Sequence, residues 1–258
     1  MRTFLASLAA LALLACGSSR VSMSGEMKYG KTAEENYQGG LEELKDGNHV
    51  EAVKLFEHVR TKYPFSKFAA LSELRLADVK FDQGRFPEAA TAYQDFVKSH
   101  PSHEDADYAA FRVGVSYWKD APSDFMLFPP SHEKDQQAVR DAADALASFV
   151  EKYPSSKHLE EGKKLLAQAR GRLADHEWYA AEFYAKRDHW SAVVLRLETL
   201  LKKYPGSRHE VDALLKLAEA YQKLDDSYRA QQALQQLIVK HPESPRRAEA
   251  ERLLAKLR

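Results

Sequence analysis

The chain has 258 residues, and its 38 basic and 38 acidic side chains give a formal net charge of zero. A balanced charge lacks the basic surplus on which nucleic-acid binding depends, so we expect no nucleic-acid partner. Glycine is sparse, at 11 residues, whereas Ala, Leu, Glu and Lys, which favour helices, are abundant. The composition predicts a helical protein with one or two domains.

Residues 1–15 have the pattern of a secretory signal peptide. Arg2 supplies a positive charge, and an uncharged, mostly apolar run follows and ends on small residues. A helix that spans a bilayer needs about 20 residues, so this run is too short to cross a membrane. Residues 13–16, Leu-Leu-Ala-Cys, resemble a bacterial lipobox, whose cysteine receives a diacylglyceryl group and, after cleavage, an N-acyl group. We therefore expect a covalent lipid on Cys16, which anchors the chain to a membrane, and no other cofactor.

The segment 16–30 is polar and has no apolar face to bury, so it is predicted to be a flexible tether. In Gram-negative lipoproteins, Asp directly after the lipidated cysteine directs retention in the inner membrane. Gly17 therefore favours the outer membrane, facing the periplasm. A cysteine buried in the core is the alternative for Cys16, and no intramolecular disulfide is possible because it is the only cysteine.

A proline-centred sequence motif recurs five times after residue 31. Tyr or His stands before each proline, and a serine follows nearby. Twelve residues before each proline stands Ala or Val, and eight residues before it stands Phe, Tyr or Leu. Twenty-four residues before it stands Gly or Ala in four of the five copies. The five prolines, separated by 37, 53, 51 and 37 residues, are Pro64, Pro101, Pro154, Pro205 and Pro242.

This register resembles the tetratricopeptide repeat. Small residues let the two helices of a hairpin approach closely, the large residue fills the gap to the next hairpin, and proline ends the second helix. We predict an all-α tetratricopeptide-repeat superhelix of five helical hairpins plus a C-terminal capping helix. Residues 31–157 would form repeats 1–3, and residues 158–258 would form repeats 4–5 with a long connecting helix and the cap.

The two long intervals differ in character. Three prolines within 120–132 predict a loop between the two helices of repeat three. Its apolar run, 125–128, either folds back on the stack or contacts a partner. No proline occurs between residues 158 and 186, which predicts one helix of about 25–28 residues, about 40 Å long. Residues 246–258 are predicted to be the cap.

No catalytic pattern stands out. The sequence has no nucleophile elbow, P-loop, dinucleotide fingerprint or His-Glu-x-x-His motif. A lipid-anchored hydrolase would need a nucleophile constellation that is missing here. His100 and His241 replace the tyrosine of the repeated motif, and we interpret them as structural residues rather than metal ligands. The sequence predicts a binding scaffold and no enzyme.

In a repeat superhelix the first helix of each hairpin lines a concave groove that can hold an extended peptide. Alternatively, the apolar residues at these positions pack between hairpins. The residues that the register directs into the groove are Tyr37, Leu41, Leu74, Asp78 and Phe111.

Two segments carry a family resemblance. Residues 173–184 (Leu-Ala-Asp-His-Glu-Trp-Tyr-Ala-Ala-Glu-Phe-Tyr) and 190–196 (Trp-Ser-Ala-Val-Val-Leu-Arg), with the lipobox and the five repeats, resemble the BamD family of tetratricopeptide lipoproteins, which serve the machinery that inserts β-barrels into the outer membrane. Another periplasmic tetratricopeptide lipoprotein that organises cell-envelope or cell-wall proteins is the alternative, and the His-Glu-Trp-Tyr run counts against it.

The resemblance implies two kinds of partner. The N-terminal repeats would receive unfolded outer-membrane proteins through their aromatic-ended C-terminal segments, and the C-terminal repeats would dock the periplasmic domains of the barrel subunit, BamA. Arg196 matches a family arginine near that interface, although a surface arginine in a local salt bridge is the alternative. The residues expected to contact the barrel subunit are His176, Glu177, Tyr179 and Arg196.

Overall fold

The structure is a computed structural model that describes residues 28–123 and 130–257. The signal segment, Cys16, Gly17 and the apolar run 125–128 lie outside the described residues. Within those ranges all the regular elements are helical, as predicted. They are α1 (Ala33–Lys45), α2 (His49–Lys62), α3 (Lys67–Asp82), α4 (Phe86–Ser99), α5 (Ala106–Asp120), a short 3₁₀ helix (Ser131–Glu133), α6 (Gln137–Lys152), α7 (Leu159–Ala185), α8 (Trp190–Lys203), α9 (Glu210–Lys223), α10 (Ser227–Lys240) and α11 (Arg247–Lys256).

The helices pair in sequence order into five hairpins, and α11 packs on α10. The core is divided into four clusters that follow one another along the stack, as expected when each repeat packs mainly on its neighbours. Helix α1 also packs on α3, and α5 on α7, so the first helices of the hairpins line the inner side of the stack. The five predicted hairpins and the cap are confirmed.

Each second helix ends in the same way. The residue before the proline has φ between −124° and −130° and ψ between 52° and 60°. Its N–H still bonds to the carbonyl four residues earlier, as Tyr63 does to Val59. Proline excludes the helical conformation from the residue before it, which explains why all five copies share this geometry.

Small residues do allow close helix contact. A Cβ added at Gly40 would lie 2.6 Å from the Phe56 ring, and one at Gly114 would lie 2.5 Å from Leu146 Cγ. The sequence register found no small residue for the third repeat, because the insertion at 120–132 displaced Gly114 from the expected position. The structure thus corrects the apparent break in the series.

Helix α7 is a single helix of 27 residues, as predicted. It packs on α6 and on α8, and so joins the first three hairpins to the last two. Across 28–123 and 130–257 no helix is both long and apolar enough to cross a membrane.

Candidate binding surfaces

The five residues predicted to line the groove have different environments. Tyr37, Leu74 and Phe111 are buried in the core clusters between hairpins, with Leu74 fully buried. Their packing is the alternative that the register left open. Leu41 is half-buried. Asp78 is buried as well, and it is the centre of a polar cluster that the sequence did not predict. Peptide contact by any of the five stays a prediction.

This inner cluster joins α3, α4 and α5 through Arg75, Asp78, Tyr93, Tyr108 and Arg112. Asp78 Oδ1 accepts hydrogen bonds from the hydroxyls of Tyr93 at 2.5 Å and Tyr108 at 2.9 Å. Asp78 Oδ2 pairs with Arg75 Nη1. The carboxylate is therefore held by three donors from three helices.

Arg112 completes the cluster. Its guanidinium carbon lies 3.7 Å from the centroid of the Phe81 ring, within range of a cation–π contact. Its Nε donates to the Tyr93 hydroxyl at 3.1 Å. Among the described residues, no acceptor bonds to the two Nη groups of Arg112, and Arg75 Nε is buried without a partner. The cluster thus has hydrogen-bond donors to spare.

Protonation leaves the inner cluster with one excess positive charge. Burial and the neighbouring Asp78 carboxylate raise the pKa of Tyr108 to about 12 and raise that of Tyr93 further, so both hydroxyls are neutral at physiological pH. Burial lowers the pKa of Arg112, but Tyr93, Tyr108 and Asp78 raise it more, so the guanidinium stays charged. Two guanidinium groups then face one carboxylate. A half-buried surplus cation with free donors is a suitable receptor for a further carboxylate.

One spacing in the sequence could have indicated this cluster, although the repeat register was defined without it. Arg75 and Arg112 are 37 residues apart, which is the interval between Pro64 and Pro101. They therefore occupy the same position on the first helices of successive hairpins. The pairing with Tyr93, which the register treats as a core residue, depends on the packed structure.

The four predicted partner-contact residues lie in two groups. His176 Nδ1 is 2.6 Å from the carbonyl oxygen of His132, and the Tyr179 ring meets the His132 ring edge-on. On another side of α7, Glu177 pairs with Arg196 of α8 at 3.2 Å. The local salt bridge considered for Arg196 is therefore present, although its side chain remains 37% exposed. Partner contact by these residues stays a prediction.

Large exposed apolar side chains are concentrated in the last two hairpins. Leu195, next to Arg196, is 62% exposed. The exposed members in these hairpins are Phe183, Leu195, Leu224, Tyr228 and Val239.

The described part of the chain contains no group of three or more His, Cys, Asp or Glu residues placed to hold a metal ion. None of the polar clusters described above pairs a Ser, Thr or Cys side chain with a base.

A known protein family matches most of the chain. The family model described as YfiO, outer membrane lipoprotein, matches residues 30–237. Similar relatives include the outer membrane protein assembly factor BamD of Neisseria meningitidis serogroup A (27% identical over 238 residues, 91% of this chain and 89% of the relative). BamD of Pasteurella multocida is also 27% identical, over 86% of this chain and 84% of the relative.

Among solved structures, the TPR2AB-domain:pHSP90 complex of yeast Sti1 is similar at a TM-score of 0.41 and 14% identity, over 87% of this chain and 84% of that one. The family match covers most of the chain, and its relatives are outer-membrane protein assembly factors. The chain therefore belongs to the BamD (YfiO) family of outer-membrane lipoproteins.

Proposed function

We propose that this protein is the lipoprotein of a β-barrel assembly (BAM) complex that binds unfolded outer-membrane proteins with its N-terminal repeats. Its C-terminal repeats bind the periplasmic domains of a BamA-type barrel subunit. A lipid on Cys16 holds it on the periplasmic face of the outer membrane. Membership of the BamD family and the assembly-factor names of the relatives support this proposal.

The inner cluster is the observation that carries the substrate half of the proposal. Four of its five residues lie on α3 and α5, the first helices of repeats two and three, where the register predicts the groove, and Tyr93 lies on α4. An unfolded outer-membrane protein ends in a free α-carboxylate, and the Nη groups of Arg112 can donate two hydrogen bonds to it. Because the site is half-buried, this ion pair is less screened than one on the surface.

Peptide binding tests this assignment. A fluorescent, aromatic-ended peptide with a free carboxylate should bind the purified protein, and Arg112→Gln should weaken binding by about 10- to 100-fold, since a hydrogen bond to a charged group contributes about 1.5–3 kcal/mol. The same peptide with an amidated end should bind weakly to both proteins.

Arg60→Gln is the matched control, because Arg60 is exposed on α2 and its one ion pair within the described part of the chain is with Glu57, at 3.8 Å. It should bind the free-carboxylate peptide like the unchanged protein. Equal affinity for the two peptides, or equal loss in the Arg60 and Arg112 variants, would contradict the assignment of the carboxylate to the inner cluster.

A further inference from the structure

A second surface, separate from the inner cluster and from Arg196, lies over the middle of α7. An open groove of about 780 Å³ runs between the connection that follows α5 and the turn between α8 and α9. Ser131 and His132 line it from the first connection, and residues 204–208 line it from the second. Two small exposed residues of α7, Ala167 and Gly171, form part of its floor. We call this feature the α7 groove.

The described lining of the α7 groove is rich in cations, although the formal net charge of the chain is zero and Lys163 of that lining pairs with Glu160 at 2.8 Å. Among the residues that the structure describes, its lining has four cations and one carboxylate, that of Asp175. Asp175 already accepts from Arg208 at 2.9 Å and lies 2.8 Å from His209 Nε2. The four cations are Lys163, Arg170, Arg172 and Arg208.

These charges are spread along the helix and are not gathered at one point. Lys163 and Asp175 are twelve residues apart, so the lining extends about 18 Å along α7. Arg170 is exposed, and the Arg208 side chain is 74% exposed. A linear ligand with several negative charges fits this distribution better than a single phosphate group does.

Gly171 indicates which part of a ligand would contact the floor of the α7 groove. It is in the interior of a 27-residue helix, where glycine is less favourable than alanine. A Cβ at Gly162 of the same helix would meet the Phe149 ring at 2.6 Å, so packing within the chain requires that glycine. A Cβ at Gly171 would have no atom within 4 Å. Nothing in the described structure requires a glycine there, whereas a ligand backbone lying directly on α7 would.

We propose that the α7 groove binds an extended acidic peptide segment of a partner protein. The peptide backbone lies on Ala167 and Gly171, and its carboxylates pair with Arg170 and Arg208. Charge complementarity selects an acidic sequence, and the glycine admits the main chain at close range. This inference does not depend on the carboxylate site of the inner cluster.

The test uses the full lipidated protein in detergent and a labelled peptide of alternating Glu and Ser with an amidated end. The amidated end removes the α-carboxylate that the inner cluster would bind. The Glu peptide should bind at least tenfold more tightly than the same peptide with Gln in place of Glu. Gly171→Gln should weaken binding at least tenfold while the protein keeps its helical circular dichroism, because Gln favours a helix but fills the floor.

Arg170→Gln combined with Arg208→Gln should weaken binding and make it less dependent on salt. Lys157→Gln combined with Lys164→Gln is the charge-matched control, because both lysines are exposed and neither lines the groove, and it should leave binding within twofold. Equal binding to unchanged and Gly171→Gln protein would overturn the proposal. So would displacement of the peptide by inorganic phosphate well beyond that by chloride at equal ionic strength, since it would indicate a single-anion site.

Discussion

At the scale of single residues, the stack depends on a glycine or alanine facing a large side chain within each hairpin. Gly114 and Leu146 show this clearly, because both are buried and a Cβ added at Gly114 would lie 2.5 Å from Leu146 Cγ. The same geometry makes the helix spacing sensitive to one added methyl group.

Gly114→Ala is therefore expected to destabilise the fold by roughly 1–3 kcal/mol, since overpacking a close contact forces side chains or backbone to move. Gly171→Ala should instead stabilise it by up to about 1 kcal/mol, because the new Cβ meets open space and Ala favours the helix. Urea unfolding followed by circular dichroism measures both. Similar midpoints for the two variants would contradict this account of the hairpin contact.

The tyrosines of the inner cluster predict a loss of stability at high pH. The folded protein holds the hydroxyl proton of Tyr108 more tightly than the unfolded chain does, with a pKa of about 12 against the ordinary 10. This contribution is fully present below pH 10 and is lost as the pH rises towards about 12. Tyr93, whose pKa is also raised by burial, acts in the same direction.

Tyr108→Phe should therefore show a shallower fall in the urea midpoint between pH 10 and about 12 than the unchanged protein does. Tyr228→Phe is the control, since Tyr228 is 71% exposed, and it should follow the unchanged protein. An equally steep fall in the Tyr108 variant would show that this hydroxyl is not coupled to folding.

At the scale of helices, the ends of α2, α4, α6, α8 and α10 follow from the sequence because their cause is local. Proline restricts the residue before it whatever the surroundings, so five prolines predicted five endings. The length of α7 was predictable for the same reason, as no proline interrupts it. The position of Gly114 was not, because the insertion before α6 changed its distance from Pro154 without changing its partner in space.

The helix endings can be tested at Pro101. Pro101→Ala removes the restriction on His100 and should destabilise the protein by about 0.4–1 kcal/mol, because the unfolded chain gains conformational freedom. Hydrogen exchange of the backbone amides should also show that α4 no longer ends at one defined residue.

His100→Tyr is the matched change one residue earlier. Tyr occupies this place in three of the five repeats, and we expect a change in stability within about 0.5 kcal/mol, although the contact of His100 Nε2 with Glu73 at 2.8 Å is lost. A larger effect of the histidine change than of the proline change would contradict the assignment of the ending to Pro101.

At the scale of the whole molecule, the register predicted the fold, but only part of the candidate site. The repeat register predicts Asp78 as a groove residue but does not predict its contacts. Its three partners, Arg75, Tyr93 and Tyr108, belong to three helices, and only the packed stack brings them together. The pairing of Glu177 with Arg196 likewise depends on how α7 crosses α8.

The proposed lipid anchor at Cys16 can be tested separately. Cys16→Ala should give a folded protein that fractionates away from membranes, because the mutated chain cannot receive the lipid. Retention in the membrane fraction after a high-salt wash, which removes proteins held by charge, would contradict lipid anchoring at this residue. Circular dichroism confirms that the variant remains helical.

The two ends of the stack are proposed to hold different partners, and photocrosslinking in intact envelopes tests this division most directly. A photoreactive residue is placed at Leu41, which is half-buried in the first hairpin, or at Leu195, which is 62% exposed on α8 and leaves the Glu177–Arg196 pair intact. Val50, 60% exposed on α2, is the control for Leu195. We predict that position 41 captures unfolded outer-membrane proteins, that position 195 captures the BamA-type subunit, and that position 50 captures neither in quantity. Capture of cell-wall enzymes alone, or of the same partner at positions 41 and 195, would contradict the account.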